Sequence, residues 1–374
     1  MKGALVLAAV LALTLARASV FAPPSRTGQW SLAGSLERPR AYATAVTVKG
    51  GDILVFGGLD ENDPRVVNPT SELISPLTGK VTTLPGKVPG RLHQTATALP
   101  NGHLVVAGGV EWVSDHFQSV DRVDVFVPEK NAWIEAAPLL QARSDHGAAA
   151  LPDGDVLVAG GNYNTRPLAT SEIYDPRTDT WREAAPLSHP RVRFSMVSLP
   201  DGRVLVAGGL DQLGRPLATT EIYDPDKDRW SAGPDLSTPR VQHATVVLPN
   251  GDVLFIGGQD GASGTAERFD HVTGKMRYAG SLVTPRLVEQ AALLPDGRVL
   301  VTGGSVEEPG RTNWVPFTDA EVWDPLTNKW RAFPSPKEPR ALGDLVPTPA
   351  GMFLIGGIGT GEAAHRSIER LTLE

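Results

Sequence analysis

Short apolar segments separated by turns rich in glycine and proline run along most of the chain. Seven times a run of apolar residues ends in a double glycine, and the first glycines of successive pairs are 46 to 53 residues apart. The pairs are Gly57-Gly58, Gly108-Gly109, Gly160-Gly161, Gly208-Gly209, Gly257-Gly258, Gly303-Gly304 and Gly356-Gly357. A period of this length is typical of propellers and solenoids. The pattern therefore predicts seven similar structural units.

Each unit is predicted to contain four short strands. In the third unit, Arg143 opens a strand of small residues that reaches Ala150, and a fully apolar strand runs from Val156 to Ala159. Asp-Gly or Asn-Gly pairs between these two strands favour two-residue hairpins, which require positive φ angles. A variable loop, a third strand, an Asp-Pro turn and a fourth strand with Trp181 follow the glycines.

The repeat predicts an all-β fold, a seven-bladed β-propeller of four-stranded blades. The first strand of each unit is rich in Ala, Thr and Val, so we expect it to be innermost. The seventh unit lacks a fourth strand, and Gln29-Trp30-Ser31 matches the tryptophan strand of the other units. We therefore expect an N-terminal strand to complete the last blade. Val81 and Met276 replace the tryptophan in the first and fifth units, whose outer strands are expected to be less well defined.

Two columns of charged residues follow the repeat. An arginine opens each unit, at Arg40, Arg91, Arg143, Arg191, Arg240, Arg286 and Arg340. An acid stands in each third strand, at Glu72, Asp124, Glu172, Glu221, Glu267, Glu321 and Glu369. Because a partly buried charge needs a partner, equal numbers at matching positions predict ion pairs within or between blades. An arginine near a binding face could also hold an anionic ligand.

The first residues have the pattern of a secretory signal. Lys2 precedes an apolar run over residues 4–15, which is too short to span a bilayer, and Ala16-Arg17-Ala18 fits a cleavage site. We predict a signal peptide over residues 1–18, with a second possible cut after Ala22, and hence export to a periplasm, a cell surface or the medium. An uncleaved anchor or a buried helix is the alternative. Residues 19–28 are predicted to be a linker and residues 29–374 a single propeller domain.

Composition narrows the classes of function. The chain has no cysteine, which excludes disulfides, thiolate metal sites and a cysteine nucleophile. Its formal charge is −7, and removal of Lys2 and Arg17 with the signal gives −9. Because no basic run interrupts this acidic chain, nucleic acid is not an expected partner. No second apolar stretch approaches the length that spans a membrane.

The repeat resembles that of the kelch family from about Trp30 to the end of the chain. The resemblance rests on four apolar residues before each double glycine, an aromatic such as Tyr174 or Tyr223, and a spaced tryptophan such as Trp181. It implies a propeller of the galactose oxidase type, with ligands bound on the face formed by the loops after the double glycines. The copper-radical oxidases of this family need a cysteine cross-linked to tyrosine. The chain has none, so that activity is not expected.

Exposed aromatics with nearby charges in the longest of these loops favour a binding surface. Two places also depart from the repeat: Arg193 adds a second charge beside Arg191, and His243 and Glu289 occupy equivalent positions on adjacent inner strands. The latter could form an acid-base or metal pair, or simply line a wet channel. The predicted ligand-binding residues are Trp112, His116, Phe117, Arg193, His243, Glu289, Trp314 and Phe317.

The sequence as a whole favours an exported, non-catalytic module that holds a protein or glycan ligand on its loop face, without a cofactor or a metal. The alternative is a periplasmic or secreted sugar-active enzyme that resembles the sialic acid mutarotases of the kelch family. An enzyme should concentrate perturbed carboxylates in one concave pocket. A binding module should instead present an aromatic patch on its loops.

Overall fold

The computed structural model describes residues 27–60, 63–85, 90–258, 264–287, 290–307, 314–360 and 363–374. The predicted signal peptide lies outside these residues, as does most of the predicted linker. The described residues form β-strands joined by turns, with one short 3-10 turn at Pro128–Lys130 and no α-helix. None of these residues forms a helix long and apolar enough to cross a membrane.

The strands form seven antiparallel sheets arranged as blades. After β1 (Gly28–Ser35), the first blade contains β2 (Ala41–Thr47), β3 (Ile53–Asp60), β4 (Asp63–Val67), β5 (Ser71–Ile74) and β6 (Val81–Thr83). The second contains β7 (Thr95–Ala98), β8 (Leu104–Ala107), the hairpin β9 (Val110–Val113) and β10 (His116–Ser119), β11 (Val123–Val127) and β12 (Ala132–Ala136). The third contains β13 (Gly147–Ala150), β14 (Val156–Ala159), the hairpin β15 (Asn162–Tyr163) and β16 (Arg166–Pro167), β17 (Ser171–Asp175) and β18 (Thr180–Ala184).

The remaining four blades follow the same order. The fourth contains β19 (Ser195–Ser198), β20 (Val204–Ala207), β21 (Thr220–Asp224) and β22 (Arg229–Ala232). The fifth contains β23 (Ala244–Val247), β24 (Val253–Ile256), β25 (Thr265–Asp270) and β26 (Lys275–Ser281). The sixth contains β27 (Ala291–Leu293), β28 (Val299–Thr302), the hairpin β29 (Ser305–Glu307) and β30 (Trp314–Pro316), β31 (Ala320–Asp324) and β32 (Lys329–Phe333). The seventh contains β33 (Asp344–Thr348), β34 (Gly351–Ile355) and β35 (Ser367–Leu373).

The N-terminal strand closes the ring. In the seventh blade the sheet order is β1, β35, β34, β33, and Trp30 of β1 lies opposite Leu371 of β35. The first strands of the blades contact one another across most junctions, so they are the innermost strands. The predicted seven-bladed propeller, its strand order and its closure by the N-terminal strand are confirmed.

Two local predictions were wrong. The outer strand of the fifth blade, β26, is seven residues long, and its Ala279 carbonyl accepts the indole N–H of Trp330 in the next blade (2.9 Å). The turns that contain the Asp-Gly or Asn-Gly pairs are also one residue longer than two-residue hairpins. At 99–102 the Gly102 N–H donates to the Leu99 carbonyl, and only Gly102 has positive φ (92°). Pro100 fixes φ near −65° after the first residue, which favours a type I turn followed by a left-handed glycine.

The hydrophobic core is divided into seven clusters, one between each pair of adjacent blades. The second strands explain this division, because their successive side chains point to opposite faces of the sheet. In β14, Val156 and Val158 pack toward the second blade, whereas Leu157 and Ala159 pack toward the fourth. Both faces of each second strand are thus buried, which is why these strands are apolar without alternation.

The seven arginines and seven acids pair within blades. Each guanidinium Nη2 lies 2.5 to 3.0 Å from the carboxylate of its own third strand, and every arginine is buried. In six blades the second carboxylate oxygen accepts a backbone N–H from the segment that leads into the arginine. Of the two arrangements open from the sequence, the pairs within blades are therefore the observed one.

Hydrogen bonds made by each arginine account for the double glycine. Its Nη1 donates to the carbonyl of the first glycine, at 2.7 to 3.1 Å in all seven blades. At five of the junctions the N–H of the second glycine donates to the arginine carbonyl of the next blade, as Gly357 does to Arg40 (2.8 Å) across the closure of the ring. A Cβ on Gly57 would lie 2.7 Å from the Arg91 carbonyl, and its φ is 65°. Only glycine fits there.

Glu221→Gln should destabilise the fold strongly, because it leaves the buried Arg191 guanidinium without a counter-charge. We expect the free energy of unfolding to fall by about 3–5 kcal/mol, the usual cost of breaking a buried ion pair. Urea unfolding followed by circular dichroism measures this loss. Arg203→Ala, which removes the half-exposed Arg203–Asp201 pair, is the control and should cost less than about 1 kcal/mol. Equal losses in the two variants would contradict the structural role of the buried pairs.

Candidate functional site

A ring of left-handed residues surrounds the central channel on the loop face. These residues stand two positions after the opening arginines, and their φ angles lie between 51° and 58°. We call them the collar: Tyr42, His93, Asp145, Arg193, Gln242 and Leu342. The corresponding residue of the sixth blade lies outside the described part of the chain.

Backbone hydrogen bonds connect the collar from blade to blade. The N–H of Asp145 donates to the His93 carbonyl (3.1 Å), and that of Arg193 donates to the Asp145 carbonyl (3.1 Å). The same bond joins Gln242 to Arg193 (3.3 Å). Because a non-glycine residue in this conformation is uncommon, the collar is a built feature of the ring. It presents side chains of different chemistry at equivalent places around the channel mouth.

Three charged or titratable side chains meet on one side of the collar. Asp145 Oδ1 lies 3.0 Å from His93 Nδ1 and 3.6 Å from Arg193 Nε. The Arg193 side chain is 41% exposed and that of His93 32%, whereas that of Asp145 is only 13% exposed. Burial acts to raise the pKa of Asp145, but the His93 hydrogen bond and the His93 and Arg193 charges outweigh it and hold that pKa below its usual range. This row offers a fixed anion between two accessible donors.

An aromatic hairpin formed by β9 and β10 rises beside this row. Trp112 and Phe117 lie opposite each other in the hairpin and stack edge to face, with ring centroids 4.9 Å apart. His116 is exposed, and Gln118 Nε2 lies 2.7 Å from its Nε2. Tyr163, on the neighbouring hairpin, is also exposed. The side chains of His116, Phe117 and Tyr163 are therefore accessible on this side of the ring.

The hairpin and the collar are connected within the second blade and through the third. Val110, the first residue of β9, bridges to Leu92 beside His93. At the other end, Ser119 Oγ donates to the Asn162 carbonyl (3.1 Å), and the Asn162 side chain bonds Asp145. The row and the hairpin thus form one surface over the second, third and fourth blades, which we call the loop-face site.

The sixth blade provides the other predicted aromatics. Phe317 lies under the Arg286 guanidinium, with its ring centroid 5.3 Å from Cζ, and its N–H donates to the Gly304 carbonyl (2.9 Å). Its own carbonyl accepts the Arg340 N–H (3.1 Å), so Phe317 forms part of the repeat framework. The backbone of Trp314 pairs with Glu307 in the hairpin β29–β30. The Trp314 side chain lies outside what the structure describes, and so does all of Glu289.

His243 lies on the wall of the central channel. Its Nε2 is 2.9 Å from Ser195 Oγ of the preceding blade, and His146 Nε2 lies at the same distance from Thr95 Oγ1 two junctions earlier. In the second blade, Gln94 Nε2 takes the equivalent place and donates to Thr44 Oγ1 (3.0 Å). These pairs bridge adjacent inner strands. Burial, and then the nearby arginine charges, lower the pKa of both histidines to about 3, so both rings are neutral at pH 7.

Asp344 is the carboxyl that sequence reasoning missed. It opens β33, the innermost strand of the seventh blade, and accepts a hydrogen bond from the Ala45 backbone N–H. Burial raises the pKa of Asp344 to about 7, because no cation offsets the loss of hydration. A pKa near 7 is the value that a general acid or base needs at neutral pH. Its position four residues after Arg340 carries no sequence signal, because that column contains six other residues of varied type.

Comparison with known families supports the repeat assignment. The model of the kelch motif matches residues 142–188, 190–237 and 287–337. The chain carries kelch repeats on a seven-bladed β-propeller. Kelch-like protein 33 of Homo sapiens is 35% identical over 96 residues, a stretch that covers 26% of this chain and only 17% of that protein. The similarity therefore concerns the repeats and not the whole of the human relative.

Solved structures share the propeller fold. A fungal alcohol oxidase of the AA5 family, determined in complex with copper, matches 93% of this kelch propeller and 77% of its own chain, with a TM-score of 0.73 and 19% identity. The structure of YjhT matches 91% of this chain and 99% of its own, with a TM-score of 0.56 and 15% identity. At these identities the likeness concerns the fold alone. Among the described residues of the kelch chain, no group of three or more His, Asp or Glu side chains could hold a metal ion.

Replacing the two channel histidines with glutamine should flatten the loss of stability in acid. The unfolded chain takes up protons on these residues below pH 6.5, whereas the folded chain takes them up only near pH 3, so the free energy of unfolding falls as the pH drops through that window. At pH 5 we expect His146→Gln and His243→Gln each to recover about 1–2 kcal/mol relative to pH 7. Urea unfolding at the two pH values measures this.

Two features of the chain make that test specific. Gln94 already forms the equivalent bond to Thr44 in the second blade, so glutamine fits the position. His189→Gln, at an exposed histidine, is the matched control and should leave the pH dependence unchanged. If the free energy of unfolding of the double variant fell between pH 7 and pH 5 as much as that of the wild type, the low pKa values would not belong to these two histidines.

Asp344→Asn should stabilise the protein in alkaline solution. Because the folded carboxyl has a pKa of about 7 against 3.8 for an ordinary aspartate, the protonated form favours folding below pH 3.8, and that stability is lost as the pH rises through 7. Asparagine is neutral and keeps an acceptor for the Ala45 N–H. At pH 8 we expect the variant to unfold with a free energy higher than that of the wild type by at least about 1.4 kcal/mol, with no difference near pH 4. A variant less stable than wild type at pH 8 would show that the carboxylate is needed in its ionised form.

Proposed function

We propose that this kelch propeller is an exported, non-catalytic binding module that holds a segment of a protein partner on the loop-face site. The observation that carries the proposal is the link between the His93–Asp145–Arg193 row and the aromatic hairpin, which the Leu92–Val110 bridge and the bonds of Asn162 provide. A kelch propeller is consistent with a protein-interaction module, and the two parts of this surface meet the two needs of such a partner. Aromatic rings bury apolar area, and charged groups fix orientation.

The chemistry of the site favours a peptide segment over a small ligand. Arg193 presents an exposed guanidinium that can bind a carboxylate or backbone carbonyls in a bidentate manner. The Asp145 carboxylate holds the His93 ring in place beside it through a 3.0 Å contact. Trp112 and Phe117 provide a preformed apolar contact a short distance away, because their edge-to-face stacking holds both rings. An extended peptide can present carbonyls and N–H groups to the charged row and apolar side chains to the hairpin.

Export is part of the proposal and is supported by the sequence. Lys2, the apolar run over residues 4–15 and Ala16-Arg17-Ala18 have the composition of a cleaved signal. Mass spectrometry of protein recovered outside the cytoplasm tests this, and a new N-terminus at Ser19 or Pro23 is the expected result. Recovery of the chain in the cytoplasm with Met1 and Lys2 retained would contradict export.

A sugar-active enzyme is the second candidate, and Asp344 is the observation that favours it. Its raised pKa suits a general acid or base near pH 7. Burial also raises the pKa of Asp155, but that carboxylate lies beside Arg177 in a turn of the third blade, so the two carboxyls do not form one cluster. An NMR measurement of anomer exchange in sialic acid and other sugars separates the two candidates. Exchange accelerated by wild type and abolished by Asp344→Asn would establish the enzyme and overturn the non-catalytic proposal.

Substitutions in the loop-face site should weaken the partner complex. We expect Phe117→Ala and Arg193→Ala each to lower affinity at least tenfold, about 1.4 kcal/mol, because central aromatic and arginine contacts carry most of the energy of an interface. The measurement is quantitative capture of extracellular and surface proteins by wild type and variants, followed by titration of the captured partner in a calorimeter.

Tyr278→Ala is the matched control for this experiment. Tyr278 is an exposed aromatic on β26, the outermost strand of the fifth blade, away from the loop face. Its substitution should leave affinity unchanged. A glycan array run in parallel identifies the ligand class: glycans retained by wild type and lost in Phe117→Ala would replace the protein partner with a carbohydrate. Undiminished partner binding in both site variants would contradict the site itself.

A further inference from the structure

A large apolar bowl opens on the face opposite the loop-face site. It is lined by the turns between first and second strands in the fourth to seventh blades and by the turn at 324–326 in the sixth. Strands alternate in direction along each blade, so these turns lie at the other end from the double glycines. The bowl has a volume of about 1440 Å³, which exceeds the ~300–1,000 Å³ typical of sites for small molecules. Its size therefore fits a polypeptide segment.

The wall of the bowl is suited to an apolar occupant. Six prolines line it, together with leucines: Pro200, Pro249, Pro295, Pro325, Pro347 and Pro349. Leu326, on the rim, is 93% exposed, and Val247 is also exposed. An exposed apolar concavity of this extent marks an interaction site in a folded protein.

The charged groups of the wall are already satisfied by one another. Arg298 Nη2 lies 2.6 Å from Asp296 Oδ2, and the Arg298 guanidinium also packs over the ring of Phe333. Arg268 Nε lies 3.5 Å from Asp252 Oδ2. Because each arginine has a carboxylate beside it, the bowl offers little to an anion. Its recognition chemistry is apolar contact.

The N-terminal end of the described chain lies at the rim of this bowl. Gly28 pairs with Leu373 at the end of β35, and Leu371, Thr372 and Leu373 line the bowl. The Glu374 N–H donates to the Thr27 carbonyl (3.3 Å), which holds the start of the chain against that strand. Thr27, the first described residue, therefore lies on the same face as the bowl and next to it.

We propose that residues 19–26 of the chain occupy the bowl. Their sequence is Ser-Val-Phe-Ala-Pro-Pro-Ser-Arg, with five successive apolar residues and no acid. Eight residues span at most about 26 Å when extended, at ~3.3 Å each, which is enough to cross the bowl from the rim. Pro23 and Pro24 fix φ, so an extended segment loses less conformational entropy on docking. The segment is covalently attached, which gives it a high effective concentration at the bowl.

The test compares the chain that begins at Ser19 with the same chain that begins at Thr27. All seven blades are complete between Gly28 and Leu373, so the shorter chain retains every sheet. Hydrogen exchange followed by mass spectrometry should show several-fold faster exchange of the bowl turns 247–251 and 347–351 in the shorter chain. A synthetic peptide of residues 19–26 should restore their protection, and the turn at 99–102, outside the bowl, should exchange alike in both chains.

Two substitutions at equivalent turn positions provide a matched pair. Leu326 lines the bowl in the sixth blade, and Leu77 has the same place in the first blade, where it is 85% exposed and outside the bowl. In the chain that begins at Ser19, Leu326→Glu should release the segment and raise exchange in the bowl turns, whereas Leu77→Glu should not.

Three results would overturn the proposal. Equal exchange in the two chains would show that the segment does not cover the bowl. Protection that depends on protein concentration, with a doubled mass in light scattering, would show that a second copy fills it instead. An exported protein that begins at Pro23 would lack Val20, Phe21 and Ala22, and with them the apolar residues on which the proposal rests.

Discussion

The buried pair between an opening arginine and a third-strand carboxylate is the interaction on which the rest of the propeller depends. The guanidinium binds its own third strand and the first-glycine carbonyl of its own blade, while the arginine carbonyl accepts the second-glycine N–H of the preceding blade. A single residue thus ties together the strands of one blade and the junction with its neighbour. The chain has no cysteine, so these bonds and the seven apolar clusters between blades hold the ring.

This constant framework leaves the collar and the outer loops free to vary. The backbone of each collar residue is fixed by its left-handed conformation and its hydrogen bonds, yet the side chains range from tyrosine to aspartate and arginine. The charged row, the aromatic hairpin and the channel polar groups therefore sit on a rigid support, which limits the entropy lost on binding. The two faces divide their chemistry, with charge and aromatics on the loop face and an apolar bowl on the other.

The repeat, the ion-pair columns and the closing strand could be predicted because each depends on a residue type that recurs or on one strand missing from the count. The collar could not be predicted from the sequence. Its positions need positive φ but contain Tyr42, His93 and Asp145 instead of glycine, and no local pattern marks a conformation that the neighbouring blade imposes. Asp344 was missed for the same reason, since its pKa depends on burial. Phe317 was read as a loop aromatic because nothing in the sequence places it under Arg286.

The most direct test of the framework is amide hydrogen exchange of individual glycines, resolved by NMR, in Glu172→Gln. Glu172 holds Arg143, whose carbonyl accepts the N–H of Gly109 in the preceding blade. If one arginine ties two blades, the variant should lose protection at Gly109 as well as within the third blade, while Gly304, three junctions away between the sixth and seventh blades, stays protected. Loss confined to the third blade, with Gly109 as protected as in the wild type, would contradict the account.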